Sequence, residues 1–317
     1  MKNILVTGSL AFDFIMDFPN TFEENILPEK LKTLSVSFLV KNFSKNFGGV
    51  AGNIAYNLSL LNQNPIILSS AGEEDFDIYQ NHLQKNKVSC DFVNFVEKEF
   101  TANMFIITDK NNCQIAGFYA GAMEKDAQLK IDELHKKQKI DLAVVSPTMP
   151  SAMNNFVNES KKLNIPYLYD PAQQIPRIEK DDLINGINGA QILIGNDYEI
   201  ELITKKTGFT KEQILGKVKI LITTLGEKGS LIETKEDKFE IKSAKPEQII
   251  DPTGAGDSYI SGFLAGYLNN QPLKTAGQIG ALLGTYAIEQ YGTQKHRFTT
   301  EEFKKRYEES FEEILAL

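Results

Sequence analysis

Tryptophan is absent from the 317 residues, cysteine appears twice, and histidine and arginine three times each. With so little arginine and a formal net charge of -8, the chain lacks the basic surface that tracks nucleic-acid phosphates or an anionic membrane. Cys90 and Cys113 stand alone, with no C-x-x-C or Cys/His spacing. That argues against a disulfide framework or a thiolate metal site and leaves ordinary cytosolic thiols. No stretch approaches the ~18 apolar residues of a membrane span. The opening "MKNILVTGSLAFDF" places a lysine before an apolar run, but Thr7, Gly8 and Ser9 break the run and no A-x-A cleavage pattern follows. It reads as a buried first strand rather than a secretion signal. A soluble cytoplasmic protein is expected, with His82, His135 and His296 as surface or structural residues.

What is present is 42% hydrophobic residues, ample for a buried core in one α/β domain covering residues 1–317. Short apolar runs at residues 3–8 and in "PIILSSAG", "DLAVVSP", "PYLYDP" and "AQILIGN" alternate with helical spacing. Ile54, Leu58 and Leu61 share one face within residues 48–62, and further helices are expected near 76–86, 150–163 and 180–187 and from Asp197. This alternation specifies a doubly wound, mostly parallel sheet with helices on both faces. "KILITTLGEKGSLIET" adds two strands, and residues 256–268, 272–290 and 299–315 read as helices. "FDFIMDF" and "LKTLSVSFLV" instead alternate as half-exposed strands, and "ANMFIITD" and "QIAGFYAG" pair as a hairpin across "KNNC". From about 12–46 and 100–120 these segments are expected to form a small β-sheet lid.

The stretch "DPTGAGDSYISGF" (251–263) puts Gly254, Ala255 and Gly256 immediately before Asp257 and an apolar-periodic segment. Small residues let a ligand approach the backbone, and the unpaired N–H groups of a helix start attract an anion. A carboxylate there would repel phosphate, so its plausible work is to take a proton from an attacking hydroxyl. The same residues could also form a glycine-rich turn with Asp257 capping a helix, and the stretch alone leaves both open. Other phosphate loops do not fit: no G-x4-G-K-[ST] occurs, and G-x-G-x-x-G would need glycine where Tyr259 stands.

Four elements in register decide for the first reading. Asp251 to Asp257 meets D-[TP]-x-G-A-G-D; Gly48, Gly49 and Asn53 meet a double glycine followed by x-x-x-N; Asn196 to Glu199 gives N-x-x-E; and "TTLGEKGS" covers 223–230. In this combination the chain resembles the ribokinase-like (PfkB) carbohydrate and nucleoside kinases over nearly its whole length. The resemblance implies a ribokinase-like fold and an ATP-dependent phosphotransferase using Mg2+. It makes Asp257 the general base and Gly254, Ala255 and Gly256 the anion hole. Asn196, Thr224, Gly226 and Gly229 would line the nucleotide, with Glu199 near Mg2+ through water. Asp13, Gly49 and Asn53 would hold sugar hydroxyls, joined by Gln114 and Asp170, which sit where the family approaches its ligands. Asp251, Thr253 and Gly292 fall where several relatives bind a monovalent cation such as K+. Plain structural accounts stand beside these: a surface helix start at "NDYEIE", a simple hairpin at 223–230, an exposed strand residue at Asp13.

The wording of "YDPAQQIPR" and "FIITDKNNCQIAGFYAGA" looks closest to the adenosine and nucleoside kinase branch. A ribonucleoside phosphorylated on its 5'-hydroxyl, adenosine above all, is the expected acceptor. Phe12, Phe14, Phe38, Phe105 and Phe118 of the lid are candidates to stack on a base, or simply to fill the lid sheet. A sugar or sugar phosphate is the alternative. The first 176 residues hold no arginine for a distal phosphate, although Lys30, Lys32, Lys41 and Lys45 keep it open. A nucleotide-binding regulator without catalysis is a third possibility. Nothing in the sequence decides between monomer and homodimer.

Overall fold

The computed structural model describes residues 2–315. Its centre is an eight-stranded sheet, ordered Lys238–Ile241, Ser230–Glu233, Ile220–Thr224, Ile192–Asn196, Tyr167–Tyr169, Leu142–Val145, Asn3–Thr7 and Asn64–Leu68. The last six strands in that order run parallel, and the first two are added antiparallel at one edge. Successive residues of each strand feed different cores, as the twofold repeat of a strand requires. Ile4, Val6, Val144, Leu168 and Ile222 face one layer, while Leu5, Val145, Tyr167, Leu193 and Leu221 face the other. Ile54 and Phe263, from helices Val50–Leu60 and Ala255–Leu268, close the first layer. Phe156, Leu183 and Ile203, from helices Pro150–Lys162, Lys180–Ile187 and Asp197–Thr207, close the second. No described helix is long and apolar enough to cross a membrane.

A four-stranded sheet stands apart, ordered Asn42–Gly48, Ala11–Asp17, Ala102–Thr108 and Gln114–Tyr119. The expected hairpin between its last two strands is present. The expected strand at "LKTLSVSFLV" is not. Residues Pro28–Thr33 form a 3-10 turn and 34–40 are irregular, with Leu34, Val36 and Leu39 exposed. The pairing strand is the polar Asn42–Gly48, whose seven residues register against Ala11–Asp17. Alternation of apolar residues marks a strand only where one face is covered, and here Phe38 packs against Phe18 and Phe22 while Leu34, Val36 and Leu39 lie exposed.

Helices Ala255–Leu268 and Leu273–Ile288 pack through a seam of small residues. A Cβ on Gly262 would fall 2.7 Å from both the Gly280 Cα and the Ile279 carbonyl oxygen, and one on Gly266 would fall 2.8 Å from the Ala276 Cα. The obstacles are backbone, which cannot rotate away. Gly262→Val is therefore expected to destabilise by about 3 kcal/mol, the upper end for overpacking, read as a lower denaturant midpoint. A wild-type midpoint would show that the seam is looser than this.

Candidate active site

Ligand sites of open parallel sheets lie beyond the carboxyl ends of the strands, and here several predicted residues gather at that edge. Asp257 is the third residue of helix Ala255–Leu268. Four other helices begin in capping boxes, Asp197–Thr207 among them. This one begins at Gly254, in the left-handed region (φ 78°), with no side-chain cap. Of its first amides, that of Ala255 makes only a long bond to the Pro252 carbonyl, at 3.3 Å, and none meets a capping side chain. Gly256 has open space around it: an added Cβ would meet nothing within 4 Å.

The Asn53 amide nitrogen donates to Asp257 Oδ2 at 2.7 Å. Asn53 lies in helix Val50–Leu60, whose start at Gly49 has φ 83° and passes so close to Ser9 and Leu10 that no side chain would fit. Gly48 in turn lies directly against the Asp13 carboxylate. Burial pushes Asp257 up to about 7; the Asn53 bond pulls it down and the charge of Asp13 pushes it further up. Asp13 rises to about 6 through burial and the charge of Asp251. Asp170 follows strand Tyr167–Tyr169 and is 6% exposed. Burial raises it well above the usual carboxylate range, helped by the charges of Glu199 and Asp257. It thus links the Asn196–Glu199 end of the cleft to the Asp257 end.

Asn196 and Glu199 cap each other: Asn196 Oδ1 accepts from the Glu199 amide at 2.8 Å, and Glu199 Oε2 accepts from the Asn196 amide at 2.7 Å. The helix-start account of "NDYEIE" is thus realised, and it leaves Glu199 Oε1 unused by the box. Thr224 ends its strand, and Gly226 and Gly229 carry positive φ in the turn that follows. Asp251 holds two loops together, accepting from the Thr253 amide at 2.9 Å and the Gly292 amide at 3.1 Å. Gln114 is not brought to this group. It shares the face of Asp13 but lies four registers along the strands, roughly 13 Å, is exposed, and donates to Thr108 Oγ1 at 3.4 Å.

The phenylalanines divide in a way that alternation alone could not reveal. Phe12, Phe14 and Phe105 point to the face opposite Asp13, since odd and even positions of paired strands alternate. Phe14 stacks on Phe105 at 4.9 Å, and Phe12 packs against Tyr79. Phe38 sits at the far end against Phe18 and Phe22. Four of the five candidates therefore serve packing. Phe118 alone shares the Asp13 face, in register with Met104 and Asp13. Ile15, Ile106 and Ala116 extend that apolar floor. Lys45 lies over the Phe12 ring, on the opposite face from Asp13.

Several polar residues at the site carried no sequence signal. Asn46 pairs directly opposite Asp13 and is 4% exposed. Thr293 and Gln294, each 3% exposed, hydrogen-bond to Asn53 across some 240 residues of chain. His296 is buried at 2% exposure against Asn57, and His82 meets Gln294. Those two histidines are structural, and burial holds both below the usual imidazole range.

Comparison with known proteins agrees with this geometry. The pattern of the pfkB family carbohydrate kinases matches residues 1–300. A nucleoside kinase of Methanocaldococcus jannaschii is 30% identical over 311 residues, covering 97% of both chains. The structure of Burkholderia thailandensis nucleoside kinase in complex with inosine superposes with a TM-score of 0.88 at 32% identity, covering 98% of this chain and 99% of that one. The same protein in complex with ADP-inosine gives 0.85 at 33% identity, covering 98% and 97%. The chain belongs to the pfkB carbohydrate kinases, with the ribokinase-like fold, and is a phosphotransferase that uses an alcohol group as acceptor.

Proposed function

We propose that the chain transfers the γ-phosphoryl group of ATP to the 5'-hydroxyl of a ribonucleoside, with adenosine as its foremost acceptor. The observation that carries this is the placement of Asp257, hydrogen-bonded to Asn53 and close to Asp13, at the mouth of an uncapped helix. Asp13 accepts two vicinal sugar hydroxyls, with the Asn53 side chain and the Gly49 backbone closing the ribose site. Asp257, with its proton affinity near neutrality, takes the 5'-hydroxyl proton as the oxygen attacks. The amides of the Gly254, Ala255 and Gly256 helix start hold the charge of the phosphoryl group in transfer, that of Ala255 giving up its long bond to the Pro252 carbonyl. The small sheet acts as the lid. Its apolar floor of Met104, Phe118 and Ile106 suits a nucleobase.

Thr224, Gly226 and Gly229 border the nucleotide. Burial, and then the charges of Glu199 and Asp257, raise the proton affinity of Asp170, and a divalent cation beside it would favour its charged form. Asp170 and Glu199, with Asn196, are the residues that would hold Mg2+ through its waters, and bound with ATP it neutralises the phosphate oxygens. A K+ ion would use Asp251 and Thr253, since each Asp251 oxygen keeps one lone pair beyond its backbone bond. The relative solved with inosine and with ADP supports the nucleoside over the sugar reading. So does Lys45, turned away from the acceptor face and unable to hold a distal phosphate.

ADP release from Mg-ATP, measured against adenosine, inosine, cytidine, ribose, fructose and fructose 6-phosphate, tests this. Nucleosides are expected to exceed the sugars in kcat/KM by about a hundredfold, the loss expected when a buried base contact is missing. Turnover confined to sugars or sugar phosphates would sink the assignment.

A further inference from the structure

The Asn53 amide faces Asp257 with its nitrogen because of a chain of hydrogen bonds whose direction is fixed at one end. The Gly48 carbonyl can only accept, so the Tyr79 hydroxyl donates to it, at 2.7 Å. With its single proton spent, that hydroxyl offers a lone pair to Gln294, which must present its Nε2. The second Nε2 proton goes to Asn53 Oδ1 at 2.9 Å. The Gln294 Oε1 faces His82 Nε2 at 3.1 Å, so both ends of the amide are committed. Asn53 is thereby held with its oxygen toward Gln294 and its nitrogen toward Asp257 Oδ2. Thr293 does not set this direction. Its hydroxyl lies within reach of two acceptors, Asn53 Oδ1 and the Phe47 carbonyl, and its single proton serves only one of them; spent on the carbonyl, it would suit the inverted amide, which the Gln294 donor and the Asp257 carboxylate oppose.

We propose that Gln294 is a positioning residue for phosphoryl transfer: anchored by Tyr79 and the Gly48 carbonyl, it keeps a donor, not an acceptor, of Asn53 aimed at the Asp257 carboxylate. If Asn53 were inverted, its oxygen would oppose that carboxylate and its NH2 would meet the NH2 of Gln294. The charged form of Asp257 would then lose its one side-chain donor and gain a repulsive neighbour, and its proton affinity would rise. The other charged groups acting on Asp257 are unaffected by the inversion. Asp13 faces it from strand Ala11–Asp17, and Asp170 from the loop after Tyr167–Tyr169. Tyr79 and His82, on helix Asp77–Lys85, are neutral members of the network, since burial disfavours the charged form of each.

The inference rests on Asp257 acting as the base, and its test separates the two claims. Gln294→Met keeps the length and removes both donors, while Tyr79→Phe removes only the anchoring oxygen and keeps the ring against Phe12 and Phe76. In each variant the acid limb of the kcat/KM profile for the nucleoside is expected to move up by about one pH unit, so that activity is about tenfold low near pH 6.5 and recovers near pH 8.5. KM for ATP and the melting temperature serve as controls for a merely structural role. Profiles that superpose on wild type, or rates that fall equally at every pH, would overturn the relay. If Asp257→Asn loses activity while these two keep the wild-type profile, only the relay fails. If Asp257→Asn stays active, the base assignment fails first.

Discussion

Asp257→Asn lowers kcat by about a thousandfold, within the range for loss of a general base, and leaves the fold intact. The variant keeps the size of the side chain and a partner for Asn53, but cannot accept a proton from the acceptor hydroxyl. Loss of activity is not expected to reflect unfolding, and the sign of the linkage makes this checkable. Asp257 binds its proton more tightly in the folded protein, near 7, than at its ordinary value of 3.8. Between those values the folded state holds more protons than the unfolded one, so ionisation at higher pH lowers stability. The asparagine variant escapes that cost and should melt no lower than wild type at pH 8, the increment vanishing at acid pH. In wild type the same group gives an acid limb to kcat/KM with an apparent pKa near 7. Asp13, raised to about 6, couples to it, so the limb belongs to the pair. A profile flat from about pH 5.5 to 8 would remove the base from Asp257.

Gly256→Ala separates the anion hole from the helix that carries it. In the interior of a helix this substitution stabilises by roughly 0.5–1 kcal/mol; at Gly256, the second residue of its helix, the gain is smaller, and the added methyl would meet nothing within 4 Å outside that helix's own backbone. The open space is where the transferring phosphoryl group is placed by the proposal. The methyl is thus expected to cost about a hundredfold in kcat, comparable with losing one preorganised donor, while the melting temperature holds or rises. The opposite pairing, full activity in a stabilised protein, would show that the phosphoryl group passes elsewhere. Gly262, in the same helix, makes the contrast: there the backbone of a neighbouring helix already fills the space.

The main sheet was legible because its strands are buried on both faces, so their runs are apolar without interruption and the helices between them show clean spacing. The small sheet was only half legible. Ala11–Asp17 and the 102–119 hairpin alternate visibly, but Asn42–Gly48 is mostly polar and is held by backbone pairing and by its neighbours. Gln114 and the phenylalanines show a related limit: alternation gives which residues share a face, but the register that places Phe118 in the row of Asp13, across Met104, and Gln114 four positions along comes from pairing between distant segments. The glycine-rich loops carried strong local signals, because a backbone that must bend left-handed or face a ligand restricts the residue type. Thr293 and Gln294 carried none, since "GTQKH" has no spacing of its own and acquires its place only when the chain end folds onto helix Val50–Leu60.

The most direct measurement is identification of the product. With Mg-ATP and inosine or adenosine, phosphorus NMR should show one ADP and one nucleoside 5'-monophosphate formed together, and the 5'-deoxynucleoside should give neither. Phosphate on another hydroxyl, turnover of the 5'-deoxy compound, or ADP formed only with free phosphate would contradict transfer from ATP to a 5'-hydroxyl held before Asp257.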